Sequence, residues 1–293
     1  MAIDTEVARF LIECRREGVN FRHTLTLGRQ NYFLGIKETR KLLDSAGIDG
    51  SRYPKLLDYE SSRYAEPFLE ALGAERIESL DASKYEGATI VHDLNQPVAD
   101  KLKQSFDVVC DAGTIEHAIN FPGVLTNCMQ MVKVGGHLIL NTPANNLCGH
   151  GFYQFSPELW FRVLSASHGF ELRRMVAAEY APRPKWVEVS DPAGVKERVG
   201  FTNRYPVLLL VLARKISEMP VFEAFPQQSD YVPRWEGEPD AARKRRQLHA
   251  SVRRSVLEFM PGLSRFLENF HRCSWFNRKY SLRNRRFFKP LSR

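Results

Sequence analysis

Two acidic residues and a histidine follow a short apolar run near the middle of the chain. The stretch 106–120 reads FDVVCDAGTIEHAIN and contains Asp111, Gly113, Glu116 and His117. A short apolar run that stops at a turn signal is typical of a buried strand. These polar residues are therefore expected at the carboxyl end of that strand, and in an open parallel α/β sheet this edge is where ligands bind.

A second histidine stands between two glycines further along the chain. His150 occurs in the segment CGHGFYQ, where Tyr153 and Gln154 follow as candidate contacts to a polar substrate such as a sugar. Histidine suits proton transfer because its unperturbed pKa of about 6.5 lies near working pH. His150 and His117 are therefore the two candidate catalytic bases.

Glu116 is the third candidate catalytic residue, because a carboxylate beside a histidine can orient the imidazole or stabilise its charge. The alternative is that Glu116 and His117 only cap the helix that follows them. No group of residues shows clear metal-ligand spacing, so no metal site is predicted. A convergence of Glu116, His117 and His150 on a divalent ion is the weaker alternative.

Seven apolar segments are predicted to be strands of one sheet. Helices separate the first five, whereas the last two strands have no helix between them. This order predicts an α/β, Rossmann-like, doubly wound and mostly parallel sheet whose last strand is antiparallel, at or near an edge. The strands lie within residues 23–33, 76–83, 88–95, 106–120, 137–146, 170–180 and 204–216, and helices are expected at 5–17, 36–47, 64–73, 121–136 and 156–169.

The predicted domain covers residues 1–216. The proline-containing segment between the last two strands is expected to cross the sheet surface. Residues 217–242 are rich in Pro, Glu and Asp and read as a linker, and residues 243–293 read as a basic, aromatic-rich helical tail. Right-handed crossovers place the strand-to-helix loops on one side of the sheet, so Gly28, Asp81 and Asp93 are expected near the residues that follow the central strand.

Charge is distributed unevenly along the chain. Residues 240–293 hold 15 Lys and Arg against 3 Asp and Glu, whereas the preceding 239 residues carry a net charge of −4. Such a tail can be a solvated helix face, can lie on an anionic membrane surface, or can bind single-stranded nucleic acid by stacking and charge neutralisation. The sequence leaves these partners open, together with the oligomeric state.

The expected compartment is the cytoplasm, with a peripheral position at the inner face of the membrane as an option for the tail. The five cysteines show no C-x-x-C pair and read as reduced thiols. The N-terminal residues lack the apolar centre of a signal peptide. The longest apolar run, residues 207–213, is far shorter than the roughly 20 residues that span a bilayer.

Three features together resemble the class I S-adenosylmethionine-dependent methyltransferases over roughly residues 20–216. They are the stretch FDVVCDAGTIEHAIN, the helix that ends in MVKVGGHLIL, and the acid at Asp81 that closes the second strand. The segment NTPANNLCGHGFYQFSPELWFRV further resembles a bacterial methyltransferase-like subgroup often encoded with surface-glycan genes. The resemblance implies S-adenosylmethionine as cofactor and methyl transfer to an oxygen or nitrogen of a small or glycan-like acceptor.

The resemblance also implies roles for the residues at the strand ends. Asp81 would accept hydrogen bonds from the ribose hydroxyls, for which the two oxygens of a carboxylate are suited. Asp93 and Leu94 would lie near the adenine, and Asp111 and Gly113 would line the methionine end. The alternative for Asp81 is a turn cap after a strand.

The loop after the first strand departs from the family pattern. The family has a glycine-rich loop that lets the backbone approach the cofactor, whereas LGRQNYFLG holds only Gly28 and Gly35. Either Arg29 and its neighbours line the pocket with side chains, or the cofactor is bound differently or not at all. Arg29 could pair with the methionine carboxylate or form a structural ion pair with an Asp or Glu.

The leading hypothesis is a cytoplasmic S-adenosylmethionine-dependent methyltransferase. One rival is a methyltransferase-like binding protein that has lost the cofactor through its unusual first loop. The other is a nucleic-acid-binding protein or RNA methyltransferase that uses the basic tail. Binding of S-adenosylmethionine separates the first two, and salt-dependent binding to RNA identifies the third.

Overall fold

Strands and helices alternate along most of the chain that the structure describes. The computed structural model describes residues 2–58, 63–231, 266, 269–270 and 278–291. The strands are β1 Ala2–Ile3, β2 His23–Leu27, β3 Asn31–Tyr32, β4 Arg76–Asp81, β5 Ile90–Val91, β6 Phe106–Ala112, β7 Val132–Asn145, β8 Phe170–Glu179, β9 Lys185–Val189, β10 Val207–Lys215 and β11 Phe288–Pro290. The helices are α1 Thr5–Arg16, α2 Ile36–Ser45, α3 Glu66–Ala71, α4 Phe121–Met131, α5 Pro157–Val163 and α6 Pro192–Val195.

Within the described residues, one sheet contains nine strands in the order β11-β9-β8-β10-β7-β6-β2-β4-β5. The seven predicted strands are all present, as β2, β4, β5, β6, β7, β8 and β10. The ladders from β5 through β4, β2 and β6 to β7 are parallel. β10 runs antiparallel to both of its neighbours, β7 and β8. Among these seven strands, the predicted Rossmann-like, mostly parallel α/β sheet is therefore confirmed, with the last of the seven, β10, reversed.

The predicted strand number and the position of the reversed strand are wrong. The sheet has nine strands instead of seven, and β10 lies fourth from the nearer edge. The segment expected to cross the sheet surface supplies β9, in which Trp186 pairs with Ala178 of β8. β11 then pairs with β9 through Phe288 and Val189. Both strands are short, and the residues that flank them in the sequence are mostly polar or basic. Their sequences therefore show little apolar periodicity.

Two apolar layers cover the two faces of the sheet, because alternate residues of a strand point to opposite faces. In β10, Leu209 and Val211 join the layer that contains α4 and α5. The intervening Leu210 and Leu212 join the layer formed by α1, α2 and α3. Burial on both faces explains why this strand reads as one continuous apolar run in the sequence.

The helices end earlier than the sequence predicts. α4 stops at Met131 instead of continuing to residue 136, because the chain enters β7 at Val132. Lys215 lies buried at the end of β10 and donates from Nζ to the carbonyls of Met129 and Val132, at 3.0 and 2.9 Å. These bonds satisfy carbonyls that the helix end leaves open. None of the helices in the described ranges has the length and apolarity needed to cross a bilayer.

The end of the predicted tail belongs to the sheet instead of forming a helical extension. Phe287 and Phe288 are fully buried in the core layer of α4 and α5. The carbonyl of Phe287 accepts from the N–H of Ser190 at 2.9 Å, next to β9. The amphipathic helix expected from residue 243 onward lies outside the described residues except at positions 266, 269 and 270.

The first half of the predicted linker is also in contact with the domain. Val221 and Phe222 pack on the core layer of α4 and α5. Glu158 of α5 accepts hydrogen bonds from the N–H and hydroxyl of Ser229, at 2.8 and 3.1 Å. The chain up to residue 231 therefore follows the domain surface, and the second half of the predicted linker lies outside the described residues.

Replacing Phe287 should show that the C-terminal residues help to stabilise the domain. Phe287→Ala removes a fully buried ring and should lower the free energy of unfolding by about 3–5 kcal/mol. The matched control is Phe266→Ala, because Phe266 is 66% exposed, and its effect should stay within about 0.5 kcal/mol. Urea denaturation followed by circular dichroism measures both. Equal effects of the two variants would contradict this packing.

Candidate active site

The carboxyl ends of β2, β4 and β6 lie side by side at one edge of the sheet. Leu27 of β2 stands opposite Leu80 of β4 on one side and Asp111 of β6 on the other. Gly28 and Asp81, the residues that come next, therefore emerge beside each other. The structure thus brings the predicted strand-end residues to one edge, as the right-handed crossovers imply.

The loop after β2 turns sharply at one glycine and is tied to the strand end by one glutamine. Gly28 has a φ of +66°, and its N–H donates to the carbonyl of Leu80 at 2.7 Å. The side-chain amide of Gln30 is buried and donates to the carbonyls of Leu27 and Gly28. A single glycine in the left-handed region and an internal amide thus shape a loop that has few glycines.

The same loop is paired with residues 2–3. Asn31 and Tyr32 of β3 form a parallel ladder with Ala2 and Ile3 of β1, and the N–H of Phe33 donates to the carbonyl of Ile3 at 3.0 Å. The second half of the GRQNYF segment is therefore held by backbone partners. The backbone at Asn31 and Tyr32 cannot move around a ligand without breaking this ladder.

Arg29 forms a structural ion pair. Its Nε lies 2.6 Å from Oε1 of Glu66 in α3, and its Nη1 donates to the carbonyl of Glu86 at 3.2 Å. The guanidinium also lies 3.7 Å from the ring centroid of Tyr64. Of the two alternatives for Arg29, the structure shows the pair with an acidic residue. Arg29 thereby links α3 to the loop that follows β4.

Asp81 stands at the end of β4 with a half-buried side chain. Its backbone carbonyl accepts from the N–H of His92 at 2.9 Å, which fixes the strand end beside the loop after β5. Among the described residues its carboxylate accepts one long hydrogen bond, from the N–H of Ser83 at 3.3 Å. The carboxylate therefore retains acceptor capacity at the edge where Gly28 emerges.

Asp93 and Leu94 shape the loop that follows β5. The carboxylate of Asp93 accepts from the N–H and side-chain amide of Asn95, at 3.0 and 2.8 Å. These bonds hold the pKa of Asp93 below its usual value. Leu94 is buried, and its carbonyl accepts from the side-chain amide of Asn127 at 2.9 Å. Both residues thus have structural duties, and their proposed place near an adenine stays a prediction.

A buried carboxylate fixes the turn at the end of β6. Asp111 is fully buried and accepts from the N–H groups of Thr114 and Ile115, at 2.8 and 3.3 Å. Burial first, and the neighbouring charge of Glu116 second, raise the pKa of Asp111 to about 7. Gly113 has a φ of +97°, and a Cβ there would lie 3.2 Å from Oε1 of Glu116. The turn therefore brings the Glu116 carboxylate close to the backbone at Gly113.

Glu116, His117 and His150 form one cluster beyond this turn, called here the Glu116 cluster. Oε1 of Glu116 lies 3.3 Å from Nε2 of His150 and 3.9 Å from Nε2 of His117. The two imidazole rings meet edge to face, with centroids 4.9 Å apart. These are the three candidate catalytic residues predicted from the sequence. They span 34 positions, and the fold brings their polar atoms together.

Burial differs strongly within the Glu116 cluster. The side chain of Glu116 is 1% exposed, whereas those of His117 and His150 are 49% and 53% exposed. Burial raises the pKa of Glu116 to about 7. Partial burial, and next the charge of His150, lower the pKa of His117. The exposed histidines of such a cluster can take up a proton from a substrate group on the solvent side. The Glu116 carboxylate behind them can then stabilise the resulting positive charge.

The loop after β7 holds His150 against Glu116. The N–H of Phe152 donates to the carbonyl of Glu116 at 2.7 Å. Gly151 has a φ of +75°, and a Cβ there would lie 2.8 Å from that carbonyl oxygen and 2.9 Å from Cγ of Glu116. Only glycine therefore allows this approach. The sequence singled out the histidine, but the close contact is made by the glycine that follows it.

Tyr153 and Gln154, the predicted substrate contacts, use their polar atoms within this loop. The hydroxyl of Tyr153 donates to the carbonyl of Ile119 at 2.7 Å, and its ring packs on Phe121 with centroids 5.0 Å apart. Oε1 of Gln154 accepts from the N–H of Leu147 at 3.0 Å. Both side chains support the wall that carries His150, and direct substrate contacts by them stay a prediction.

Sequence reasoning missed the residues that hold Arg29. Glu66 and Tyr64 are 37 and 35 positions away from Arg29 in the sequence, and neither belongs to a motif. The signal available was only the long insertion between β2 and β4. Contacts of this kind arise from the packing of α3 against the loop and have no local pattern.

Comparisons with known proteins give only distant similarities. No protein-family model and no curated protein matches the chain. Among solved structures, the N-methyltransferase NodS from Bradyrhizobium japonicum, in complex with S-adenosylhomocysteine, is 13% identical over 72% of this chain and 87% of that chain, with a TM-score of 0.39. The trans-methyltransferase CalH, also in complex with S-adenosylhomocysteine, is 13% identical over 72% of this chain and 55% of that chain, with a TM-score of 0.36.

A third similar structure is the CMeT domain of the citrinin polyketide synthase, at 13% identity, 74% of this chain, 52% of that chain and a TM-score of 0.39. The chain thus spans about half the length of two of these three structures. At such scores the similarity assigns neither a family nor an activity.

Substitution of Gly151 should disturb the wall that carries His150. Gly151→Ala places a methyl group in a left-handed residue and against Glu116, which should lower the free energy of unfolding by about 1–3 kcal/mol. Gly149→Ala is the matched control, because a Cβ at Gly149 meets nothing within 4 Å, and it should change stability by less than about 0.5 kcal/mol. Urea titrations of both variants give the comparison, and an unaffected Gly151→Ala would refute the close approach.

Proposed function

We propose that the chain is a methyltransferase that uses S-adenosylmethionine and transfers the methyl group to an oxygen or nitrogen of a small or glycan-like acceptor. The observation that carries the proposal is the switch point of the sheet. From β2 the chain proceeds outward to β4 and β5, and then returns to β6 and β7 on the other side of β2. In open α/β sheets, ligands bind at the carboxyl ends of the strands where the order reverses.

The seven strands predicted from the sequence follow the order β5-β4-β2-β6-β7-β10-β8, with only β10 reversed. The order of strands and helices in the sequence predicted a mostly parallel sheet with an antiparallel last strand, and that order resembles the class I methyltransferases. The agreement extends to the sequence motifs, because FDVVCDAGTIEHAIN is the strand and turn next to the switch point.

The residues at the switch point are suited to a nucleoside with vicinal hydroxyls. Asp81 has acceptor capacity left at the strand end, and two ribose hydroxyls can donate to its two oxygens. Gly28 lies beside it and lets the backbone come close to a ligand. In this proposal Arg29 positions the loops around the cofactor through Glu66 and the carbonyl of Glu86, instead of binding the cofactor itself.

The cofactor would supply an electrophilic methyl group bound to a sulfonium sulfur. When a lone pair of the methyl acceptor forms the new bond to carbon, the carbon–sulfur bond would break and the sulfur would leave as a thioether. The chain has to align the acceptor and, for a hydroxyl, take up its proton. The Glu116 cluster lies at the turn that follows the switch-point strand β6. His150 and His117 present imidazoles on the exposed side, and the buried Glu116 carboxylate stabilises a proton that either ring accepts.

For partners, the proposal assigns the exposed basic residues of the tail to an anionic surface, either a membrane or a nucleic acid. Arg283, Arg285 and Lys289 are exposed. Phe287 and Phe288, two of the aromatic residues of the tail, are buried in the core. Charge attraction is therefore favoured over aromatic insertion in this part of the tail. A cytoplasmic enzyme at the inner membrane face would meet a lipid-linked glycan there.

Cofactor binding tests the proposal directly. Isothermal titration calorimetry with S-adenosylhomocysteine should show binding to the wild type, and Asp81→Asn should weaken it at least about tenfold, because a charge-assisted hydrogen bond contributes about 1.5–3 kcal/mol. Asp100→Asn is the matched control, because Asp100 is an exposed acid in a different turn. Absence of binding to the wild type would favour the rival, a methyltransferase-like binding protein without cofactor.

The tail prediction needs a variant that keeps the core intact. Replacement of Arg283, Arg285 and Lys289 by Glu leaves Phe287 and Phe288 in place, whereas truncation would remove β11. Binding to vesicles that contain anionic lipid should decrease steeply in this variant and with added salt. Salt-dependent binding to single-stranded RNA in place of vesicles would instead favour the RNA-binding rival.

A further inference from the structure

We propose that the Glu116 cluster is a binding site for one divalent transition-metal ion, such as Zn²⁺. One ligand atom from each of Glu116, His117 and His150 lies within 4.8 Å of the other two. The site is argued from these three side chains and stands apart from cofactor binding. The role of the ion in catalysis, in contrast, rests on the proposed methyltransferase function.

The separations inside the cluster already approach those of a metal site. Two ligands that are each about 2.0–2.1 Å from a tetrahedral Zn²⁺ lie about 3.3–3.4 Å apart. Oε1 of Glu116 and Nε2 of His150 are 3.3 Å apart, and Oε1 and Nε2 of His117 are 3.9 Å apart. The ligand nitrogens of the two histidines lie within 4.8 Å of each other, so the exposed rings have to approach each other by up to about 1.4 Å to reach a tetrahedral separation.

A second observation is the unsatisfied carboxylate of Glu116. The residue is 1% exposed, and its Oε2 is buried without a hydrogen-bond partner among the described residues. A buried carboxylate without adequate partners is costly. Its other oxygen faces two imidazole nitrogens, one of them beyond hydrogen-bond distance. A cation between the three groups satisfies the carboxylate and both rings together.

The ligand types select the class of ion. Two imidazoles and one carboxylate suit Zn²⁺, Mn²⁺, Fe²⁺ or Co²⁺, whereas Mg²⁺ and Ca²⁺ prefer sites made of oxygen. Three protein ligands leave a coordination position open, which distinguishes catalytic from structural zinc sites. The histidines are about half exposed, so the open position lies on the solvent side, where an acceptor would arrive.

The ion would act on the acceptor within the proposed reaction. A hydroxyl coordinated at the open position loses its proton to solvent more readily, as metal-bound water does. That oxygen would then supply the electron pair for the new bond to the methyl carbon, while the bond from that carbon to the sulfonium sulfur breaks and the thioether leaves. With the ion bound, His117 and His150 are ligands, and the metal replaces a histidine as the group that activates the acceptor.

The test is metal binding without cofactor or acceptor. The chain first receives Cys148→Ser, because Cys148 is an exposed thiol two residues from His150 and a cysteine thiolate is itself a Zn²⁺ ligand. Calorimetry with Zn²⁺ on this otherwise intact chain should show one tight site per molecule. Co²⁺ should give visible absorption bands of a nitrogen- and oxygen-ligated ion.

Glu116→Gln and His150→Ala should each weaken Zn²⁺ binding about a hundredfold or more, beyond the ~10–100-fold seen for outer-shell partners. Gln keeps the shape of the buried side chain, so a folding defect is not expected. His92→Ala is the matched histidine control, since Nε2 of His92 is next to the carbonyl of Gln96 in another loop, and it should bind Zn²⁺ as its parent does.

The outcomes separate this inference from the proposed function. Equal Zn²⁺ binding by the Cys148→Ser parent and its Glu116→Gln, His150→Ala and His92→Ala variants would overturn the proposed site. Absence of Zn²⁺ binding to the parent would overturn it as well. Binding of S-adenosylhomocysteine by a chain that does not bind Zn²⁺ would leave the methyltransferase proposal intact and remove the metal. Zn²⁺ binding without any S-adenosylhomocysteine binding would support the metal site and contradict the methyltransferase.

Discussion

The turn at the end of β6 depends on one buried carboxylate, and the candidate site depends on that turn. Asp111 has no access to solvent and finds its hydrogen bonds in the N–H groups of Thr114 and Ile115. Those bonds fix the backbone so that Glu116 points back toward it across Gly113. Burial raises the pKa of both carboxyl groups, and the charge of Glu116 adds to the rise at Asp111. The arrangement therefore favours a positive charge at the mouth of the turn, where the two histidines stand.

The other side of the switch point is held by a different set of contacts. The loop after β2 is built from a ladder with residues 2–3, an internal amide at Gln30, and the ion pair between Arg29 and Glu66. These contacts replace the flexibility that several glycines would provide. A loop of this kind is preorganised, so a ligand that fits it loses less binding energy to ordering. The same rigidity limits which ligands can enter, since the loop cannot adapt by backbone rotation.

The far edge of the sheet shows how residues remote in sequence complete a domain. β9 covers β8, and β11 from the C-terminal region covers β9. Phe287 and Phe288 fill the core, while the basic side chains around them stay on the surface. One short segment therefore serves two purposes, because its aromatic rings stabilise the fold and its charges remain available to an anionic partner. An unpaired edge at β8 would also be a template for aggregation, which these strands prevent.

The sequence by itself determined the central sheet and the place of the candidate site. Its seven strands are apolar enough to be recognised. Polar residues such as Asp81, Glu116 and His117 lie at the strand ends or a few residues beyond them, so the carboxyl edge could be located from the sequence alone. The continuous apolar run of β10 and the proline-led start of α4 are local signals of the same kind.

Only the tertiary structure decided which of these polar residues meet. Three contacts show this: His150 lies against Glu116, Arg29 pairs with Glu66, and Tyr153 bonds to the carbonyl of Ile119. Each contact joins segments that are 34 to 37 positions apart in the sequence, so it depends on how those segments pack. The pairing of β11 with β9 joins residues about a hundred positions apart and depends on three residues of strand. Local patterns report which face of an element is apolar, but such contacts are set by how whole elements pack, and no local pattern encodes them.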